Sequence, residues 1–299
     1  MPERVVALYG PTASGKTAIA EALAERLDGE IVSADSAALY AGIPVLTAAP
    51  SYPARLVGII PLDREVSVGE YGALAHEAID EILAAGRTPV VAGGTGLYLR
   101  AALVELDLPP APEPGARERW SGVYDELGAD RAHKLLAGHD PTAAARIHPN
   151  DRRRVVRALE LVEVGASLAP VQDRLWGGDF RHPTLLVGLD LPLERLDERI
   201  ENRVRAMLDH GAAREARAAW AGELSATARK VLGLEELATL PEDDAAEAIV
   251  AATRRLARYQ RKWLRRLPVV ATLDADRPAE RVVDEIVAMA GAGERLPRS

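Results

Sequence analysis

The octapeptide Gly10-Pro11-Thr12-Ala13-Ser14-Gly15-Lys16-Thr17 matches G-x-x-x-x-G-K-[ST] at every fixed position, directly behind the apolar run Val5 to Tyr9. That residue order suits phosphate binding. A glycine-bearing loop between a strand and a helix turns backbone N–H groups inward, and the helix starting near Gly15 adds the positive end of its dipole. Lys16 then neutralises phosphate as a point cation, and Thr17 offers its hydroxyl to a magnesium ion, Mg2+. The plainer reading is a glycine turn that only joins strand to helix. It is disfavoured because the flanks read strand, then helix from Thr17 to Leu27. The loop does not name a reaction, since kinases, hydrolases and transferases all use it.

Strand and helix signals alternate around this loop: a short strand at Glu30 to Ser33, a helix from Val68 to Ala85 closed by Gly86, and a buried strand at Thr88 to Ala92. This rhythm predicts an α/β fold, a parallel sheet of the phosphate-loop type flanked by helices. Four prolines between Leu108 and Pro114 interrupt it. Beyond them the pattern is helical and polar up to Trp176-Gly177-Gly178, and an apolar strand returns at Thr184 to Leu189. Residues 113–182 therefore read as a mainly helical insertion domain in a core made of residues 1–112 and 183–299. Helices follow at Leu193 to His210, Ala212 to Trp220 and Asp244 to Arg266, then a strand at Val269 to Leu273 and a helix at Pro278 to Met289.

The chain has 299 residues, 48% of them hydrophobic, enough for a large core. It has no cysteine, which excludes disulfides, thiolate zinc sites and cysteine nucleophiles. With no basic leader, and no apolar run near the roughly 20 residues that span a bilayer, a cytoplasmic location without membrane contact is expected. The net charge of −8 hides a segregation. Five arginines between Arg146 and Arg157 face one acid, Asp151, and six arginines plus Lys262 lie between Arg254 and Arg266 with no acid at all. In this second run Arg254, Arg258, Arg261 and Arg265 share a helical face, with Leu256, Tyr259 and Trp263 as an apolar stripe. One basic run reads as a solvated face; two in an acidic chain point to a polyanion partner.

Several segments now fall in order: GPTASGKT at Gly10, SADS ending at Ser36, GGTGLYL from Gly93, ARIHPNDRRRVVRALE around Asp151, and ATRRLARYQRKWLRR around Gln260. Together they resemble the tRNA dimethylallyltransferases, also called tRNA isopentenyltransferases, from about residue 5 to about residue 275. The resemblance implies transfer of a dimethylallyl group from dimethylallyl diphosphate to the exocyclic amine of the adenosine 3′ of the anticodon in tRNA. Asp35 matches the family's catalytic aspartate, acting with Lys16 and Thr17. Gly10, Pro11, Thr12, Ala13, Ser14, Gly15, Lys16, Thr17 and Arg203 would hold the diphosphate, with Mg2+ on Thr17. Asp35, Ser36, Ala37, Ala38, Thr95, Arg117, Arg153, Arg154, Val155, Val156 and Arg157 would lie along the anticodon stem-loop. A monomer is expected, although the sequence does not fix the oligomeric state.

Plainer roles compete for single residues: a helix N-cap for Asp35, a turn histidine for His148, and a solvated helix position for Arg203. Two other functions share the loop, an ATP-dependent kinase of a small molecule or nucleotide and a noncatalytic RNA-binding relative. The chain also departs from the family pattern. Ala41 and Ala49 stand where cations are common, Ala54 where histidine is, and Leu234 where tyrosine follows Gly233.

Overall fold

The computed structural model describes residues 4–50, 52–106, 109–110, 112–168 and 180–291. In chain order the first elements are β1 (Val5–Tyr9), α1 (Lys16–Arg26), β2 (Gly29–Ser33), α2 (Pro44–Thr47), β3 (Ala54–Arg55), α3 (Val68–Ala84), β4 (Thr88–Gly93) and α4 (Gly96–Leu103). Four helices follow: α5 (Ala116–Leu127), α6 (Ala129–His139), α7 (Pro141–Ala144) and α8 (Arg152–Glu163). The chain then returns through β5 (Thr184–Asp190), α9 (Leu193–Asp209), α10 (Ala212–Trp220), α11 (Leu234–Thr239), α12 (Glu242–Leu264), β6 (Ala271–Asp274) and α13 (Ala279–Gly291).

The strands form one parallel sheet in the order β3-β2-β4-β1-β5-β6. Every residue of β1 is buried, which is why its sequence is an unbroken apolar run. Leu8 lies beside Ala92 of β4 and Val187 of β5. One core layer joins Val6, Leu8 and Leu185 to Ile19 and Leu23 of α1 and to Val282 and Ile286 of α13. Elsewhere in the sheet the buried Tyr71 of α3 donates its hydroxyl to the Ser33 carbonyl at 2.9 Å, fixing the end of β2 where the Asp35 loop begins.

The chain divides into two compact units, Met1–Leu106 with Asp179–Ser299, and Asp107–Gly178. Within the first, Arg181 N–H donates to the Leu103 carbonyl at 2.9 Å. The second has its own core, in which Tyr124, Leu136, Val155 and Leu159 are buried. The stretch Trp176-Gly177-Gly178 lies outside the described residues.

Two features depart from the sequence expectations. The elements α2, β3 and α11 were not anticipated, because segments of 4, 2 and 6 residues are too short to display a period. In α12 the expected apolar stripe is not the buried face: Tyr259 is 58% and Leu256 38% exposed, whereas Ala257, Gln260 and Leu264 are buried. On the buried face Gln260 accepts the Thr12 N–H of the phosphate-type loop.

Candidate active site

The loop from Gly10 to Gly15 leaves the C-terminal end of β1, between parallel neighbours on both sides, the usual place for a ligand in such sheets. Ala13 and Gly15 both take positive φ, 62° and 88°, a left-handed backbone of the kind from which anion-binding loops are built. At Gly15, the N-cap of α1, glycine meets this conformation without steric cost. Ser14 is fully buried and its hydroxyl has no hydrogen-bond partner among the described residues. Lys16 Nζ donates to the carbonyl of Pro11 at 2.7 Å.

Helix α9 brings two arginines to this loop. A cavity of about 300 Å³ is lined by Ala13, Gly15, Lys16, Thr17, Arg199 and Arg203. Arg199 is tied to Asp276 at 3.0 Å and reaches the Ser14 carbonyl at 3.4 Å. Arg203 makes no ion pair among the described residues, and burial lowers its pKa against the opposing pull of Asp35. Burial likewise pushes the Lys16 ammonium down to about 8; Asp35 resists this and Arg203 adds to it. Three cations converge here on a space with no carboxylate in its lining, a charge arrangement suited to an anion.

Lys16 and Thr17 also line a second cavity of about 70 Å³ with Ser33 and Asp35, whose other walls include Ala20, Ile31, Ala38, Ala48, Pro50 and Ala92. Asp35 caps no helix: its Oδ1 accepts the Ala37 N–H at 2.9 Å, closing a turn, and α2 begins only at Pro44. Ser36 and Thr95 come together, their hydroxyl oxygens 3.5 Å apart. Among the described residues no group of three or more His, Cys, Asp or Glu side chains is arranged for a metal ion. Magnesium on a diphosphate needs few protein ligands, because phosphate and water oxygens complete its shell. The hydroxyl-bearing Thr17, which lines both cavities, fits that pattern.

In the unit Asp107–Gly178, Arg117 and Arg157 meet on the buried carboxylate of Glu160, at 3.1 Å and 2.9 Å. Arg153 and Arg154 are exposed at the start of α8, which Asp151 caps by accepting the Arg154 N–H. Val155 and Val156 point elsewhere: at 0% and 4% exposure they belong to this unit's core, so their side chains cannot meet RNA. His148 is a turn residue whose Nδ1 accepts the Asn150 N–H.

Against known proteins, the model of the IPP transferase family matches residues 38–267. The chain belongs to this family. The transferase is 41% identical to the tRNA dimethylallyltransferase of Salinispora arenicola over 284 residues, covering 91% of this chain and 82% of that one. It is 40% identical to the tRNA dimethylallyltransferase of Anaeromyxobacter dehalogenans, over 94% of this chain and 97% of that one. Among solved structures, it resembles the tRNA isopentenylpyrophosphate transferase from Bacillus halodurans with a TM-score of 0.70 at 30% identity, covering 97% of this chain and 96% of that chain.

Three features of the transferase lie beyond the sequence expectations. Arg199 stands four residues before Arg203, a spacing that places both on one face of α9, and this signal was available. Gln260, whose Oε1 accepts the Thr12 N–H at 2.7 Å, had no local signal. The basic face of α12 is also redistributed. Arg254 pairs with Glu201, Arg261 with Asp190, and Arg258 lies 3.9 Å from Asp197, so most of the face expected to meet a polyanion is neutralised internally. Arg255, Tyr259 and Lys262 are exposed on the neighbouring face, at i, i+4 and i+7, and Arg258 and Arg265 of the expected face are exposed as well. Of the family departures, Leu234 is buried in the core, and Ala49 lies between Ala48 and Pro50 of the Asp35 cavity.

Proposed function

We propose that the transferase moves the dimethylallyl group of dimethylallyl diphosphate to N6 of the adenosine 3′-adjacent to the anticodon in tRNA, releasing diphosphate. The observation that carries this reading is the wall of Lys16 and Thr17 shared by an arginine-lined cavity and a cavity with Asp35 and apolar sides. A prenyl diphosphate has matching halves, one anionic and one apolar.

The diphosphate is assigned to the loop N–H groups, Lys16, Arg199 and Arg203, which stabilise the charge growing on it as the allylic C–O bond breaks with its electron pair. The N6 lone pair forms the new C–N bond. Asp35 hydrogen-bonds the amine and accepts the proton it sheds. Thr17 would hold Mg2+, which when bound supplies further neutralisation of the leaving diphosphate. The target adenosine has to leave its stack to reach Asp35, and Ser36 and Thr95 flank that approach.

The unit Asp107–Gly178 is assigned to the anticodon stem-loop through Arg117, Arg153, Arg154 and Arg157. Phosphate contacts of this kind fix position and register rather than sequence. Among the described residues no helix is long and apolar enough to cross a membrane. A cytoplasmic monomer acting on free tRNA is the setting proposed.

The test is incubation with bulk tRNA and labelled dimethylallyl diphosphate, without ATP. Label is expected on N6 of one adenosine. Donor that binds but never labels tRNA, or a reaction that requires ATP, would overturn the reading.

A further inference from the structure

We infer that Gln260 is a positioning residue for the diphosphate cradle, stationing Lys16 through the peptide that joins Pro11 to Thr12. The two polar groups of that one peptide are gripped from opposite ends. Its carbonyl accepts Lys16 Nζ at 2.7 Å and its N–H donates to Gln260 Oε1, also at 2.7 Å. Gln260 is itself immobilised. It is 6% exposed, and its own carbonyl accepts the hydroxyl of the fully buried Tyr9 at 3.1 Å. Gly94 makes room for it, since a Cβ there would stand 2.5 Å from Gln260 Nε2.

The physical consequence lies in the direction of the peptide plane. A loop peptide held by one end can rotate, exchanging the places of its N–H and its C=O. With the N–H committed to Gln260, the carbonyl stays on the Lys16 side, so the ammonium is kept at the mouth of the cradle. Rotation would put a carbonyl oxygen where Gln260 also presents one, and the two dipoles repel. Gln260 thus acts through Lys16 without touching the donor, and it does so from α12, 248 residues along the chain from Thr12.

This inference rests on the reading that the cradle binds diphosphate, and the experiment separates the two. Magnesium diphosphate is titrated calorimetrically into wild-type protein, Gln260→Met and Lys16→Ala. Gln260→Met keeps the length of the side chain but removes the acceptor. Its diphosphate affinity should fall about tenfold, with a modest fall in unfolding temperature from the Thr12 N–H left without its acceptor, while anticodon stem-loop affinity stays at the wild-type value. Donor KM should rise in step and kcat should fall as well, because Lys16 also stabilises the leaving diphosphate, and hydrogen exchange at the Thr12 amide should accelerate. A merely structural role would lower unfolding temperature and leave KM alone. Gly94→Ala approaches the same contact from the other side by crowding Gln260 Nε2, and it decides the matter if Gln260→Met does not fold. Normal diphosphate affinity in the folded variant, with Thr12 exchange accelerated, overturns the role of Gln260. Normal affinity in Lys16→Ala overturns the cradle reading itself.

Discussion

The carboxylate of Asp35 accepts the backbone N–H of Ala37 at 2.9 Å, and this contact holds it in a turn beyond β2 rather than at the start of a helix. One oxygen is spent on the turn. Asp35 also lines the cavity that it shares with Lys16 and Thr17.

Replacing Asp35 with asparagine should therefore separate stability from activity. The asparagine carbonyl can still accept the Ala37 N–H, so thermal unfolding should stay close to wild type. An amide cannot take the amine proton, and kcat should fall by roughly a hundredfold or more, with donor and stem-loop binding retained. Near-normal turnover would remove Asp35 from the mechanism.

Lys16 predicts a pH dependence. Its folded pKa of about 8 lies below the ordinary 10.5, because burial disfavours the ammonium. Diphosphate needs the charged form, so affinity should decline as pH rises above about 8, by up to about tenfold per unit, with proton uptake on binding. Calorimetry in buffers of different ionisation enthalpy measures that uptake. For stability the sign is opposite. Between about 8 and 10.5 the unfolded chain holds the proton and the folded one does not, so stability should rise with pH across this window. Lys16→Met should lose both trends; retention of either would assign it to another group.

Stem-loop binding should weaken steeply with salt, since each phosphate contact releases counterions. Charge reversal at the exposed Arg154, or at Arg157, should flatten the plot of log affinity against log salt by about one unit of slope. In α12 the same plot should distinguish Arg255 from Arg254. Arg255→Gln removes an exposed cation, whereas Arg254 is already committed to Glu201 and Asp197. Equal effects from these two neighbours would refute the assignment of the exposed face.

Glu160 has 0% exposure and holds both Arg117 and Arg157. Glu160→Gln should destabilise the protein by about 2 kcal/mol in urea unfolding, as charge-assisted hydrogen bonds in a buried setting are weakened. Stem-loop affinity should fall as well, because the two guanidiniums lose their common anchor. Unchanged stability would show that each arginine is positioned without the other.

What the sequence determined by itself was whatever local order encodes. The phosphate-type loop is contiguous, so its spacing alone located the turn between β1 and α1. Strands buried on both faces read as the apolar runs at Val5 to Tyr9 and Thr184 to Asp190. Helical period and flanking turns outlined α3, α9 and α12, and the resemblance in motif order pointed to the family.

Only the tertiary structure decided which charges are available. Helical spacing put Arg254, Arg258 and Arg261 on one face, but it could not show that acids from α9 and the end of β5 would neutralise that face and leave Arg255 and Lys262 exposed. Val155 and Val156 lay inside a motif associated with RNA contact and proved to be core. Arg199 and Gln260 reach the loop from distant parts of the chain. A residue's period in a helix gives the direction of its side chain, while the identity of its neighbour depends on long-range packing, and at this site the neighbours set the chemistry.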